Sequence, residues 1–275
     1  MLRRSRAVDA SQQEAAPERP ARGRTSTAAS HASRFERLWR RHVASPPSPE
    51  GATVYAELRV LLAAPYRRYH TLEHIHDCLR RLDEVAHLLD DPDAVELALW
   101  FHDAIYDMDS GTNEQRSAEL FERLAKGADP AFCRRVRGLI MATRHQGGER
   151  NHDRRFIVDI DLAGFGAPWK EFMRNGALLR QESPGKTDAQ YHRGQFGFLA
   201  RLQRRRHFFA TAHFRERYEA KARENLRREK ILRGQGNLSS VLWRNTPKCS
   251  SRRSSMRRPQ ARSGFMKSSL TAIAC

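Results

Sequence analysis

Cysteine is scarce in this chain: four residues, Cys78, Cys133, Cys249 and Cys275. No two are spaced as a CxxC clip, which argues against a disulfide framework and a Cys-type zinc site. Such usage suits a reducing compartment, so a cytoplasmic protein is expected. Also lacking is any uninterrupted apolar run of the ~18 residues a membrane span needs, and no membrane partner is expected. The opening MLRRSRAVDASQQEAAPERPARGRTSTAAS is basic but has no apolar stretch of the kind a secretory signal carries. Asp9, Glu14 and Glu18 argue against an organelle transit peptide. Period-two alternation is nearly absent, which leaves little for strands. Acidic residues are missing altogether from 236–275.

Charge is abundant but uneven. The formal net charge is +18. Residues 1–33 hold six Arg against three acids, and residues 236–275 hold eight Lys/Arg against none, so the two ends carry 11 of the 18. The part between them is only mildly basic. A basic chain can bind nucleic acid through its phosphates, but here most of the excess lies in ends without an apolar pattern, so specific nucleic-acid recognition is not expected.

Residues 1–33 and 236–275 read as disordered tails around one domain at 34–235. In that domain the apolar period is helical throughout. Phe35, Leu38, Trp39 and Val43 form one stripe, and Leu72, Ile75, Leu79, Leu82, Val85, Ala86 and Leu89 form another. The segment DDPDAVELALWFHDAIY starts on Asp with Pro92 in its first turn and is apolar nearly all round, as central core helices are. QGGERNHDRR reads as a polar loop and FIVDIDLAGFG as a short apolar segment. The expectation is an all-α bundle of about nine or ten helices.

Histidine followed by aspartate occurs three times, at His76-Asp77, His102-Asp103 and His152-Asp153. His102-Asp103 interrupts an apolar helix. A buried carboxylate there needs a partner, while the histidine alone could be a core residue bonded to a backbone carbonyl. His70 and His74 are four apart and share a helix face if both are helical. Asp159 and Asp161 lie at the end of an apolar run, and either could reach a pocket wall. Imidazole and carboxylate donors suit Mn, Mg, Fe, Co, Ni or Zn. His152-Asp153, in a polar loop, is expected to be solvated. His76 is expected to be packing or surface, and Asp77 is a candidate to support a ligand.

The segments RRYHTLEHI, LALWFHDAIYD, NEQRSA, IMATRH and DIDLAGFG, in this order, resemble the HD-domain superfamily of metal-dependent phosphohydrolases, and most closely a bacterial subgroup of predicted metal-dependent HD phosphohydrolases. The resemblance covers about residues 34–233. It implies His74, His102, Asp103 and Asp161 as ligands of a divalent metal, Asp161 being preferred to Asp159 because it precedes Leu162. By analogy with the cyclic-nucleotide phosphodiesterases, Tyr69-His70 marks His70 as a general acid, although Thr71 stands where those enzymes have Asn. His145 is the other candidate for that role. Glu114 is a candidate base or water-orienting group, with Asn113 capping its helix. Arg67, Arg68 and Arg144 are candidate phosphate contacts. The implied activity is hydrolysis of a phosphate mono- or diester of a small molecule such as a nucleotide. Competing readings are a metal-binding regulatory domain with little turnover and a nucleic-acid-binding protein working through its basic ends. Turnover separates the first from the hydrolase. A steep salt dependence lost on deleting 1–33 and 236–275 would mark the second.

Overall fold

The computed structural model describes residues 24–44 and 46–234. Ten helices make up this part, and no strand occurs among the described residues. They are α1 (Arg24–His42), α2 (Gly51–Leu62), α3 (Leu72–Val85), α4 (Pro92–Phe101), α5 (Asn113–Leu124), α6 (Pro130–Ala142), α7 (His152–Leu162), α8 (Trp169–Gln181) and α9 (Asp188–Arg204). The tenth, α10, begins as Ala212–Phe214, passes through one π turn at Arg215–Glu219 and continues as Ala220–Gly234. None of them is long and apolar enough to cross a membrane. The first helix reaches back to Arg24, inside the stretch expected to be a tail. The expectations for 1–23 and for 236–275 lie outside the described residues.

Local signals explain where the helices near the site begin. The Thr71 hydroxyl accepts from the Glu73 N–H at the start of α3, and Asp91 accepts from Ala94 N–H with Pro92 in the first turn of α4. Asn151 caps α7 through Arg154 N–H. The segment FIVDIDL is therefore the body of a helix that begins in the stretch expected to be a polar loop.

The apolar stripe of α3 (Ile75, Cys78, Leu79, Leu82, Val85) is buried against α4 and α7, and α4 packs on α6 as well. Every residue of α4 from Leu97 to Phe101 is fully buried, as its all-round apolarity predicts. Phe35, Trp39, Trp100, Phe101 and Phe121 close the core beside α1 with ring centroids 5.2–6.4 Å apart. Arg34 ties the same elements on the outside, donating to Asp83 on α3 and Glu96 on α4.

After α7 the chain makes a 3₁₀ turn, Ala163–Gly166. Asn225 of α10, fully buried, holds this turn by donating to the Phe165 and Ala167 carbonyls at 2.9 and 2.8 Å. A Cβ on Gly166 would lie 2.7 Å from Tyr218 Cβ and 3.0 Å from the Tyr218 carbonyl oxygen. Gly166→Ala should therefore cost about 1–3 kcal/mol by overpacking, read as a lower urea midpoint with an unchanged m-value. A midpoint equal to wild type would show that the turn yields freely.

Candidate metal centre

Three mutually packed helices, α3, α4 and α7, bring their ends together. His74 stands in the first turn of α3. His102 caps the end of α4 with its backbone still helical, and Asp103 follows it in the turn. Asp161 stands in the last turn of α7. His74 Nε2 is 3.2 Å from Asp161 Oδ1 and 3.5 Å from Asp103 Oδ2. His102 Nε2 is 3.1 Å from Asp103 Oδ2 and 3.7 Å from Asp161 Oδ1. Donor atoms of His74, His102 and Asp103 all lie within 4.8 Å of one another.

The donor set fits a divalent cation. The His102 Nδ1–H donates to the Leu99 carbonyl at 2.8 Å, which fixes the tautomer and turns the Nε2 lone pair inward. That Nε2 is buried and has no hydrogen-bond partner: its 3.1 Å approach to Asp103 is misaligned for a hydrogen bond. Burial opposes charge on all three groups, yet their mutual attraction prevails. Asp103 and Asp161 are held well below the usual carboxylate range by the surrounding histidines, and His102 is raised well above a free imidazole by the two carboxylates. The pocket thus demands positive charge, which a proton on His102 or a cation between the four side chains provides. Cys78 Sγ lies 3.7 Å from His74 Nε2. Burial pushes this thiol up to about 12, and its sulfur forms a second group of donor atoms within 4.8 Å with His74 and Asp161.

The neighbouring residues sort clearly. His145 Nε2 contacts Asp161 Oδ2 at 2.8 Å. Its backbone is left-handed (φ 55°), a conformation that costs a non-glycine residue about 1–3 kcal/mol, and Arg205 holds it by donating to its carbonyl. His70 precedes α3 rather than sharing its face. Its Nδ1 is 2.6 Å from Glu182 Oε2, and Tyr106 lies against its ring at 4.0 Å between centroids. The other oxygen, Glu182 Oε1, accepts from the backbone N–H groups of Arg68, Tyr69 and His70. Neither Glu182 nor Tyr106 is singled out by the sequence reading. Glu182 ends α8, 112 positions from His70, and nothing local marks it.

Some expectations need correction. Arg67 is buried and donates to the His70, Asp103 and Ala104 carbonyls, so it braces the two ligand-bearing loops instead of facing a phosphate. Arg144 donates to the Gly111 carbonyl and faces Glu114 at 3.9 Å, and neither makes a hydrogen bond or ion pair with the ligand set. Arg68 is exposed. Asn113 is the first residue of α5, and its side chain binds the Asp107 backbone instead of capping the helix. Asp159 points away from Asp161, as two positions on a helix must. It accepts from Ala210 N–H, Thr211 N–H and the Thr211 hydroxyl. Asp77 pairs with Arg80 at the surface, away from the ligands, whereas His76 is packing as expected, stacked on His31 at 3.7 Å. Asp153 is buried instead of solvated, accepting from Asp90 and Asp91 N–H while His152 binds the Leu88 carbonyl. The Asp90–His152–Asp153 group is thus a clamp between α4 and α7. Compared with protein-family models, with curated proteins and with solved structures, the chain matches none, so its site stands on its own geometry.

Proposed function

We propose that this protein is a metal-dependent phosphoric-ester hydrolase of the HD type, acting on a phosphate mono- or diester of a small molecule such as a nucleotide. The observation that carries the reading is that His74 and His102 each lie within 3.1–3.7 Å of both Asp103 and Asp161, with His102 Nε2 buried and outside any hydrogen bond. These four side chains would hold one divalent ion, and their nitrogen and oxygen donors suit Mn, Mg, Fe, Co, Ni or Zn. Such an ion supplies Lewis acidity toward a phosphoryl oxygen and neutralises charge developing there.

The remaining chemistry belongs to the chain. His70, pinned through Nδ1 by Glu182, has Nε2 left to deliver a proton to a departing alkoxide. Glu182 and Tyr106 together fix the orientation of the ring. His145, sharing Asp161, is the second group able to carry a proton at the centre. Arg67 holds the His70 and Asp103 loops in register, and exposed Arg68 is the cation beside His70 free to meet a phosphate.

The test is metal content of untagged protein purified without added metal, followed by a phosphate-ester screen with the metal found. About one equivalent together with turnover supports the reading. Metal without turnover of any ester would leave a metal-binding regulatory domain, and failure to take up any of the six metals would end both.

A further inference from the structure

A cavity adjoins the metal centre on the Asp161 side. It lies between the Ala163–Gly166 turn, α8 and α9, is open to solvent, and has a volume of about 70 Å³. Asp161 and Tyr69 stand in its wall, so the two spaces share residues. Beyond them most of the exposed wall is apolar, from Phe165, Phe172, Met173 and Leu199, and Asn175, His192, Gln195 and Glu229 add polar groups. The chain contains 50 Lys and Arg, yet none lines this cavity among the described residues. The outer wall is α9, whose buried side chains, Tyr191 and Leu202, lie toward its two ends.

We propose, resting on the hydrolase reading above, that this cavity takes the organic part of the substrate and selects an uncharged, apolar ring. The substrate class is then a phosphate ester of a phenol or similar ring-bearing alcohol, carrying a single phosphate at the centre. A further phosphate placed here would lose its water beside the Asp161 and Glu229 carboxylates, with no Lys or Arg in the lining to meet it. A polyol would press hydroxyls against the apolar part of the wall, where they find no partner. A flat apolar ring meets neither penalty and finds aromatic neighbours in Phe165 and Phe172.

Gly176 of α8 makes the idea testable. It lines the cavity, and a Cβ built on it meets nothing within 4 Å. A leucine there has room to enter the empty space, and replacing a mid-helix glycine favours the helix. The experiment is calorimetric titration of the full-length, metal-containing protein with 1-naphthyl phosphate, glycerol 2-phosphate and adenosine triphosphate. Wild type is expected to bind 1-naphthyl phosphate about tenfold or more tighter than glycerol 2-phosphate, the gain from burying ~50 Å² of apolar surface. Gly176→Leu should lose that preference with metal content and circular dichroism unchanged, and Gly176→Ala should fall between. Equal affinities in wild type, tighter binding of the triphosphate, no binding of either ester, or a preference that survives Gly176→Leu would each overturn the proposal. Aryl-selective binding without turnover would sink the hydrolase reading and leave the cavity assignment standing. Turnover without aryl preference would do the reverse.

Discussion

Asp161→Asn is expected to leave the protein without its divalent metal and without ester hydrolysis. Asp161 meets three imidazoles: Oδ1 lies 3.2 Å from His74 and 3.7 Å from His102, and Oδ2 lies 2.8 Å from His145. The amide keeps the shape and removes the charge that holds a cation there. Changing a residue that merely supports a metal ligand costs ~10–100-fold in affinity, so a direct ligand should cost more than ~100-fold. A Lewis acid worth several kcal/mol corresponds to a rate loss of about 10³ or more at 1.36 kcal/mol per tenfold. Stability provides a readout that does not depend on turnover. At a metal concentration of ~100 Kd the wild type should gain about 2.7 kcal/mol, and the variant should gain nothing. Asp159→Asn is the control. Its carboxylate serves Ala210 and Thr211, so that variant should lose stability and keep the metal. If Asp159→Asn empties the centre while Asp161→Asn does not, the two roles assigned to this pair are exchanged.

How much of this was legible in the sequence depends on the range of the interaction. The helices follow from local pattern: the stripe on α3 and the Asp91-Pro92 start of α4 predict elements that form where expected. The His102-Asp103 doublet was visible because a carboxylate in an apolar run needs a reason. Its geometry was not, because the groups that complete it, His74 and Asp161, stand on α3 and α7 and meet it only through tertiary packing. At Asp159 and Asp161 the residues alone left two candidates; helical geometry puts them on opposite faces, and only tertiary neighbours decide which face is the site. The early start of α1 was missed because its Thr, Ala and Ser residues carry no apolar stripe. Asp153 looked solvated because its partners are backbone N–H groups over 60 positions away, which no side-chain pattern records. Arg67 looked like a phosphate contact for the same reason, since the three carbonyls that consume it belong to folded loops.

Glu182 is the clearest such omission, and its replacement is the second large effect expected. Its side chain is fully buried, with one oxygen receiving three successive backbone N–H groups and the other receiving His70 Nδ1. Burial works against the charge, but the His70 and backbone hydrogen bonds outweigh it and hold the carboxyl down at about 2. Since the folded value lies below the ordinary 4.5, the stabilisation is present above about pH 4.5 and is lost as pH falls through about 2. Its full size is about 3 kcal/mol. The stability gap between wild type and Glu182→Gln should therefore be open at pH 7 and close between pH 4.5 and 2. Glu182→Ala should cost more at pH 7, because it strands three part-buried donors, the buried limit being about 1–3 kcal/mol each. On the reaction, Glu182→Gln should lower kcat about 10²–10³-fold, the usual worth of a positioned general acid, with KM and metal content held. This split identifies Glu182 as a positioning residue acting through His70. A kcat equal to wild type, with the acid-side stability gap still closing as described, would show that the clamp serves folding alone and would pass the proton to His145.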